Sequence, residues 1–366
     1  MEGAENIQKQ TAGLTLEDGS FYEGISFGAS KNTHGEVVFN TGMTGYPEAL
    51  TDPSYKGQLL VCTYPLIGNY GVPGIERDEH DILRHFESDR MHVSALIVEH
   101  YPEHYAHPQA QRSLSAWLKE QGVPALRGID TRALTKHLRA HGTMRGTLII
   151  EGVQEYGTQY DENLVNEVSC ASAITYAPQH YHRTVVLVDC GVKNNIIRLL
   201  LERGVRVTRV PWNYNFLSLA GGYDGVVISN GPGDPKICAP LIARLKIVLR
   251  NDQPVLGICL GMQLLALAAG ANTYKLPYGH RSQNQPCREV GTKRCYITTQ
   301  NHGYAVDAAT LPSDWQVWFE NANDGTVEGI KHTRKPCIAV QFHPEATPGP
   351  HDTEYIFDSF VQQLRA

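Results

Sequence analysis

The chain has 366 residues, of which 42% are hydrophobic and 19% are charged, and its formal net charge is −6 at neutral pH. This length favours two domains, because a single hydrophobic core stops growing at about 250–300 residues. The negative charge argues against a basic surface for nucleic acid, and no apolar run approaches the length of a membrane span. We therefore expect a cytoplasmic protein that binds neither nucleic acid nor a membrane.

The cysteines are scattered along the chain, with no Cys-x-x-Cys pair and no secretory signal before them. This pattern predicts reduced thiols, and any one of them can be a buried structural cysteine. The eight positions are Cys62, Cys170, Cys190, Cys238, Cys259, Cys287, Cys295 and Cys337.

The N-terminal half is predicted to be rich in strands. Leu14 to Phe27 alternates around an Asp18-Gly19 turn, which is typical of a hairpin. A helix is expected from the N-cap Asp130 to a stop at Gly142. Other strands are predicted at Val37 to Phe39, Leu59 to Cys62, Val93 to Val98 and Thr147 to Ile150.

Residues 171–183 show little hydrophobic periodicity, and we interpret them as a linker between domains 1–170 and 184–366. The hydrophobic pattern of the chain is different after this segment. Short apolar runs then alternate with helical patterns, which favours a doubly wound, mostly parallel α/β sheet behind a mixed α/β N-terminal domain. The apolar runs begin at Thr184, Val205, Gly225 and Pro254, and the helical patterns begin at Asn194, Ala239 and Leu260.

Residues Gly257 to Gly261 read Gly-Ile-Cys-Leu-Gly between a predicted strand and a predicted helix, the context that a nucleophile elbow requires. The glycines relieve crowding at a tight turn, and the helix start favours the thiolate, which is the reactive form of Cys259. A structural cysteine at a strand end, followed by a glycine for helix packing, remains the alternative.

His343-Pro344-Glu345 follows another predicted strand, so the imidazole is expected at the same edge of the sheet as Cys259. Glu345 is placed to accept a hydrogen bond from the second ring nitrogen of His343. The three residues form a candidate catalytic triad, although His343 alone could be a loop histidine and Glu345 a surface charge.

The glycine-rich segment from Ser229 to Pro235 ends a third predicted strand. Its backbone N–H groups, with that of Leu260, could stabilise an oxyanion, and the amide of Gly231 is the candidate donor. A plain turn explains the same sequence equally well. It is not a phosphate loop, since it lacks the lysine and the spacing.

Together these motifs resemble the class I glutamine amidotransferases from Thr184 onwards. Within that class, Gln300 to Tyr304, Gly279 to Arg281 and Asn284 to Pro286 are similar to the carbamoyl phosphate synthetase branch. The N-terminal half is similar to the first domain of that synthetase's small subunit, at Glu36 to Thr41, Met43 to Tyr46, Leu50 to Tyr55 and Thr63 to Gly71.

The resemblance implies the roles of individual residues. Cys259, His343 and Glu345 would be the triad of a glutaminase that forms a cysteinyl thioester, with the amides of Gly231 and Leu260 as the oxyanion hole. Ser54 would contribute from the N-terminal domain. The expected glutamine-binding residues are Ser54, Gly231, Gly233, Leu260, Gln263, Asn301, Gly303 and Tyr304.

The resemblance also implies a partner, a large synthetase subunit that binds ATP and Mg²⁺ and receives ammonia, in a heterodimer or a higher oligomer that serves arginine or pyrimidine synthesis. No cofactor is expected in this chain, and no metal: His100, His104 and His107 lack a metal-ligand pattern. A free-standing γ-glutamyl thiol hydrolase and a non-catalytic gating subunit are the alternatives.

Two positions depart from the family pattern. Tyr304 replaces an expected phenylalanine, and Ser282-Gln283 replaces the small residues expected after Gly-His-Arg. Neither change touches the triad. A backbone contact at Tyr304 would survive the first change, whereas the second could alter packing beside Asn301.

Overall fold

The structure is a computed structural model that describes residues 10–157 and 162–364. The chain forms two compact units. The first contains 10–46, Gly57–Gly74 and 93–157, and the second contains the remaining described residues. Two segments of the N-terminal half therefore pack with the second unit, namely Pro47–Lys56 and Ile75–His92. The predicted domain boundary at 171–183 did not anticipate this.

The first unit is built on seven strands that pair in the order β1-β2-β8-β6-β4-β3-β9, and β9 also pairs with β1, so the sheet closes on itself. Two short strands, β5 and β7, form a separate pair. The strands are β1 (Thr11–Leu16), β2 (Phe21–Ser26), β3 (Thr33–Asn40), β4 (Gln58–Cys62), β5 (Val72–Pro73), β6 (Ala95–Val98), β7 (Ala110–Arg112), β8 (Ala125–Arg127) and β9 (Met144–Ile150).

Local signals in this unit predicted its elements well. The β1-β2 hairpin turns at Gly19, whose φ is +87°, as the Asp18-Gly19 pair predicted. The predicted helix runs over Thr131–His141, with the Asp130 carboxylate accepting a hydrogen bond from Ala133 N at 2.8 Å and Gly142 ending it. The strand expected from Val93 is shorter, because pairing begins only at Ala95.

The second unit contains a ten-stranded sheet in the order β10-β12-β11-β13-β14-β19-β18-β16-β15-β17. The five strands from β12 to β19 in this order are parallel, and the strands beyond β19 are antiparallel. The strands are β10 (Ile174–Tyr176), β11 (Arg183–Asp189), β12 (Val205–Pro211), β13 (Gly225–Ile228), β14 (Val255–Ile258), β15 (Thr273–Glu289), β16 (Cys295–Val306), β17 (Trp315–Asn321), β18 (Val327–His332) and β19 (Cys337–Val340).

Helices cover both faces of this sheet, which confirms the doubly wound prediction. On β11, Val186 packs in the cluster of α6 and α7, whereas its neighbour Val185 packs in the cluster of α5 and α8. No helix within the described residues is both long and apolar enough to cross a membrane. The helices are α1 (Tyr46–Thr51), α2 (Leu114–Glu120), α3 (Thr131–His141), α4 (Leu164–Val168), α5 (Asn194–Glu202), α6 (Ala239–Val248), α7 (Leu260–Ala269) and α8 (Tyr355–Gln363).

The segment interpreted as a linker contains a strand. β10, at Ile174–Tyr176, pairs antiparallel with β12 as the edge of the large sheet. Its three residues are exposed or half-buried, so they show neither the apolar run of a central strand nor a resolvable alternation. An edge strand this short leaves little trace in a sequence.

The cap of α3 gives a test of the first unit. Replacing Asp130 by Ala removes the acceptor of the Ala133 N–H, and a lost N-cap costs about 1 kcal/mol of the free energy of unfolding. We expect Asp130→Ala to lower the urea midpoint, whereas Asp130→Asn keeps a capping oxygen and most of the stability. Equal losses in the two variants would contradict the capping role.

Candidate active site

Cys259 lies at the turn between β14 and α7 in a strained backbone conformation, with φ +55° and ψ −107°. The two flanking glycines make this turn possible. A Cβ on Gly257 would lie 2.7 Å from the carbonyl oxygen of Gly261, and one on Gly261 would lie 2.1 Å from that of Ile228. The turn has the geometry of a nucleophile elbow, as the pentapeptide predicted.

His343 follows β19, the strand next to β14, and its backbone N–H donates to the carbonyl of Thr299 at 2.9 Å. Its ring Nδ1 lies 2.6 Å from Oε1 of Glu345. Both side chains are buried, with exposed fractions of 1% or less. The histidine and the carboxylate therefore form the oriented pair that the His-Pro-Glu motif predicted.

Interactions with Cys259 and Glu345 shift the pKa of the His343 imidazole. Burial alone would lower the pKa of His343, but the charge of Glu345 and hydrogen bonding to Cys259 and Glu345 raise it to about 10. Since Nδ1 faces Glu345, the buried Nε2 is the ring nitrogen left for Cys259, whose Sγ also lies 3.6 Å from the carbonyl oxygen of Asn301. The carboxylate of Glu345 therefore favours the imidazolium form of His343.

A buried lysine sets the charge of Glu345. Burial alone would raise the pKa of this carboxyl group, but the charges of Lys193 and His343 lower it to about 2. Nζ of Lys193 lies 3.1 Å from Oε1 of Glu345 and donates to the carbonyl of Ala346 at 2.6 Å. Sequence reasoning missed Lys193, because Lys-Asn-Asn before an apolar helix looks like an ordinary helix start.

A second buried carboxylate, Glu87, lies in the Ile75–His92 segment of the same unit. It accepts a hydrogen bond from Asn195 N at 3.3 Å, and burial raises its pKa to about 7 despite the attraction of Lys193 and Arg198. Sequence reasoning missed Glu87 too, since a lone glutamate in a loop carries no pattern. Lys193 is thus shared between two buried acids.

The loop after β13 approaches the first turn of α7. A Cβ on Gly231 would lie 2.1 Å from the carbonyl oxygen of Cys190 and 2.8 Å from Cδ2 of Leu260, so only glycine fits there. Gly233 has φ +86°, which also favours glycine. The structure brings the two backbone segments of the predicted oxyanion hole together.

Asp52 connects two residues of the predicted glutamine site, Ser54 and Asn301, and Asn230, which was not predicted, lies beside them. Its Oδ2 accepts a hydrogen bond from Asn301 Nδ2 at 2.8 Å, and its Oδ1 accepts one from Ser54 N at 2.9 Å. Asn230 Nδ2 donates to Ser54 Oγ at 3.0 Å. Ser54 and Asn301 are therefore neighbours within the second unit, and sequence reasoning missed the aspartate that joins them.

Gln263 lies one turn into α7, as its spacing from Cys259 predicted. Its Nε2 donates to the carbonyl of Tyr304 at 2.9 Å and to Oε1 of Gln341 at 3.0 Å. Gln263 and the backbone of Tyr304 are thus adjacent, and Gly303 precedes Tyr304 in β16. All the predicted substrate residues belong to the second unit.

The buried lysine provides a test of this arrangement. Lys193→Met leaves Glu345 and Glu87 buried without their shared cation, and breaking such a pair costs about 3 kcal/mol of stability. We expect a lower unfolding temperature and slower alkylation of Cys259 by iodoacetamide, because a less anionic Glu345 stabilises the imidazolium less. Lys246→Met, on the exposed face of α6, is the control. Wild-type alkylation kinetics in Lys193→Met would contradict the electrostatic role.

Comparison with known proteins adds an independent line of observation. Residues 186–363 match the family described as glutamine amidotransferase class-I, and residues 14–148 match the carbamoyl-phosphate synthase small chain, CPSase domain. A glutamine amidotransferase structure from Thermotoga maritima aligns with 50% of this chain and 85% of its own, at a TM-score of 0.38 and 20% identity.

Several curated relatives align along nearly the whole chain. The multifunctional protein CAD of Squalus acanthias is 51% identical over 360 residues, which cover 97% of this chain and 16% of that protein. Such relatives are thus far longer than this chain. The carbamoyl phosphate synthase arginine-specific small chain of Aspergillus fumigatus is 46% identical over 365 residues, which cover 97% of this chain and 80% of that protein. With both halves matched in one continuous alignment to that small chain, the protein belongs to the carbamoyl phosphate synthase small-chain family.

Proposed function

We propose that this chain hydrolyses L-glutamine to glutamate and ammonia and supplies the ammonia to a carbamoyl phosphate synthetase. The observation that carries the proposal is the strained cysteine of the elbow, which interacts with His343 of the buried His343-Glu345 pair. A thiol, an imidazole and a carboxylate in this order form the machinery of covalent acyl transfer.

The reaction proceeds in two halves. The Cys259 thiolate adds to the side-chain amide carbon of glutamine, and the His343 imidazolium donates its proton to the departing ammonia as the C–N bond breaks. Neutral His343 then takes a proton from water, which adds to the thioester. The C–S bond breaks, glutamate leaves, and the thiolate and the imidazolium are restored.

Each tetrahedral intermediate carries an oxyanion, for which we propose the backbone amides of Gly231 and Leu260 as donors. Leu260 is the first residue of α7, where the amide N–H has no partner within the helix and the helix dipole favours negative charge. The close approach of the Gly231 loop to Leu260 supports this assignment. No metal takes part in this chemistry.

We assign glutamine binding to residues around this centre. Support comes from the Asp52 network, which orients the side chains or backbone of Ser54, Asn230 and Asn301, and from the contact of Gln263 with Tyr304. The proposed set is Ser54, Gly231, Gly233, Leu260, Gln263, Asn301, Gly303 and Tyr304.

The partner is a large synthetase subunit, with which this chain forms a heterodimer or a higher assembly in the cytoplasm. ATP and Mg²⁺ belong to that partner, and this chain supplies ammonia to it. Carbamoyl phosphate made from bicarbonate then serves arginine or pyrimidine synthesis. The eight cysteines are all free thiols, which suits a reducing compartment.

Substitution of the nucleophile tests the function. Cys259→Ser, assayed with the synthetase partner, is expected to lose at least about 1,000-fold in glutamine-dependent carbamoyl phosphate synthesis, because a serine hydroxyl is not ionised by the adjacent imidazole. Ammonia-dependent synthesis should stay unchanged. Cys295→Ser, at the exposed cysteine, is the control.

Two results would contradict the proposal. Unchanged glutamine-dependent synthesis in Cys259→Ser would leave only a gating role for the chain. A glutaminase rate that is the same with and without the synthetase partner would instead favour a free-standing γ-glutamyl hydrolase.

The pH dependence of Cys259 alkylation tests the role of Glu345. The charge of this carboxylate holds the pKa of His343 near 10, so Glu345→Gln lowers the pKa of His343 and leaves the imidazole neutral at lower pH. Less thiolate is then stabilised at neutral pH, and the alkylation profile should move to higher pH. Glu202→Gln, exposed on α5, should leave the profile unchanged. A Glu345→Gln profile that matches the wild type would refute this assignment.

A further inference from the structure

A second group of buried ionisable residues lies in the antiparallel part of the large sheet. His280 on β15, His302 on β16 and Glu328 on β18 each offer a ligand atom, and these atoms lie within 4.8 Å of one another. The three side chains are buried, with exposed fractions of 7%, 5% and 0%. Within the described residues, no other group of three or more His, Cys, Asp or Glu side chains has this spacing.

The outer nitrogen of each ring faces a hydrogen-bond acceptor. Nε2 of His280 lies 2.9 Å from Oδ2 of Asp324, and Nδ1 of His302 lies 2.8 Å from the carbonyl oxygen of Tyr304. Each outer nitrogen can therefore donate its N–H to that acceptor, and in a neutral ring the inner nitrogen then presents a lone pair to the centre of the group.

The inner nitrogens point at another acceptor, the carboxylate of Glu328. Nδ1 of His280 lies 3.3 Å and Nε2 of His302 lies 3.7 Å from its Oε1. The second oxygen, Oε2, is buried without a hydrogen-bond partner within the described residues. Asn321 Nδ2 and Thr326 Oγ1 are nearby donors, each 3.4 Å from Oε1, but both are neutral and neither balances the charge of the carboxylate.

A fourth acceptor joins the group. Oε1 of Gln300 lies 3.2 Å from Nε2 of His302. The orientation of the Gln300 amide is set by its NH₂ group, which donates to Sγ of Cys287 at 3.2 Å and to Oγ1 of Thr298 at 3.1 Å. Gln300 Oε1 thus adds a further acceptor beside His302 Nε2, and a buried group of acceptors around one carboxylate is stabilised by a cation.

The spacing of these atoms suits a metal ion. Ligands at 2.0–2.2 Å around tetrahedral Zn²⁺ are about 3.3–3.6 Å apart, and three pairs of ligand atoms here are 3.2, 3.3 and 3.7 Å apart. Metal-bound histidines also donate their outer N–H to a carboxylate or a backbone carbonyl, as His280 and His302 do.

We propose that His280, His302 and Glu328 bind one divalent transition-metal ion, with Zn²⁺ the preferred species and Gln300 Oε1 in the fourth position. The ion links β15, β16 and β18 and has no reaction to perform, since its ligands are all buried and all positions are filled. This proposal departs from the expectation that the chain contains no metal. The proposed ion has a structural role, and the chemistry proposed at Cys259 uses no metal.

Metal content and a spectroscopic probe test the proposal. The full chain, expressed without a histidine tag and passed through gel filtration with a weak chelator, is expected to retain about one zinc ion per chain by elemental analysis. Removal of zinc with a strong chelator should lower the unfolding temperature, and added Zn²⁺ should restore it. Co²⁺ in the stripped protein should give the visible absorption of a four-coordinate site.

Variants locate the ion. Glu328→Gln and His280→Asn should each lose the bound zinc and the Co²⁺ absorption, whereas His351→Gln, at an exposed histidine beside Glu354, should keep both. If a ligand variant does not fold, the zinc content and the Co²⁺ spectrum of the wild-type chain decide the matter.

Two results would overturn the proposal. The first is a wild-type protein that carries less than about a tenth of an equivalent of zinc and responds to neither Zn²⁺ nor Co²⁺. NMR of the histidine rings at neutral pH would then identify the central cation as a proton on an imidazolium. Retention of zinc by both folded ligand variants would place the metal elsewhere.

Discussion

The ionised state of Glu345 is the condition on which the candidate active site depends. A carboxylate with no exposed surface would ordinarily be neutral, because burial disfavours its charge. Lys193 reverses this preference from 3.1 Å, and the ionised carboxylate in turn stabilises the imidazolium of His343. Without Lys193, Glu345 would lose the largest attraction that favours its charge, and the imidazolium of His343 would be less stable.

The parallel sheet brings these groups together at one edge. β11, β13, β14 and β19 are consecutive neighbours in the sheet, and each leads at its carboxyl end into a residue of the site. Lys193 follows β11, Asn230 follows β13, Cys259 follows β14 and His343 follows β19. The fold therefore needs only short loops to gather residues far apart in sequence, as open α/β sheets generally do.

The burial of polar atoms at this edge of the sheet lowers the stability of the fold, and the backbone at Cys259 adds strain of order 1–3 kcal/mol. The surrounding contacts compensate. The amide of Cys259 donates to the carbonyl of Val340 at 2.8 Å, and its own carbonyl accepts from Met262 at 3.0 Å. Because these bonds form before any substrate arrives, the nucleophile is already oriented, and no reorganisation of the backbone is required during the reaction.

Features that a short sequence motif specifies were predicted, whereas features that depend on contacts between distant residues were missed. The elbow at Cys259 has two glycines at fixed offsets, and the capped helix after Asp130 has its own start and stop residues. Lys193 and Glu87 have no such mark, because their importance comes from burial together. The long β15-β16 hairpin was also missed, since polar side chains such as His302 occupy positions where apolar alternation would have revealed a strand.

Successive side chains of a strand point to opposite faces of the sheet, so strand β16 contributes residues both to the active site and to the group around Glu328. Asn301 presents its carbonyl oxygen to Sγ of Cys259, whereas its neighbours Gln300 and His302 direct their side chains to the group around Glu328. A cation bound by that group therefore holds the residues on both sides of Asn301 and limits how far this residue can shift. The proposed metal site and the nucleophile are thus linked through three consecutive residues of one strand.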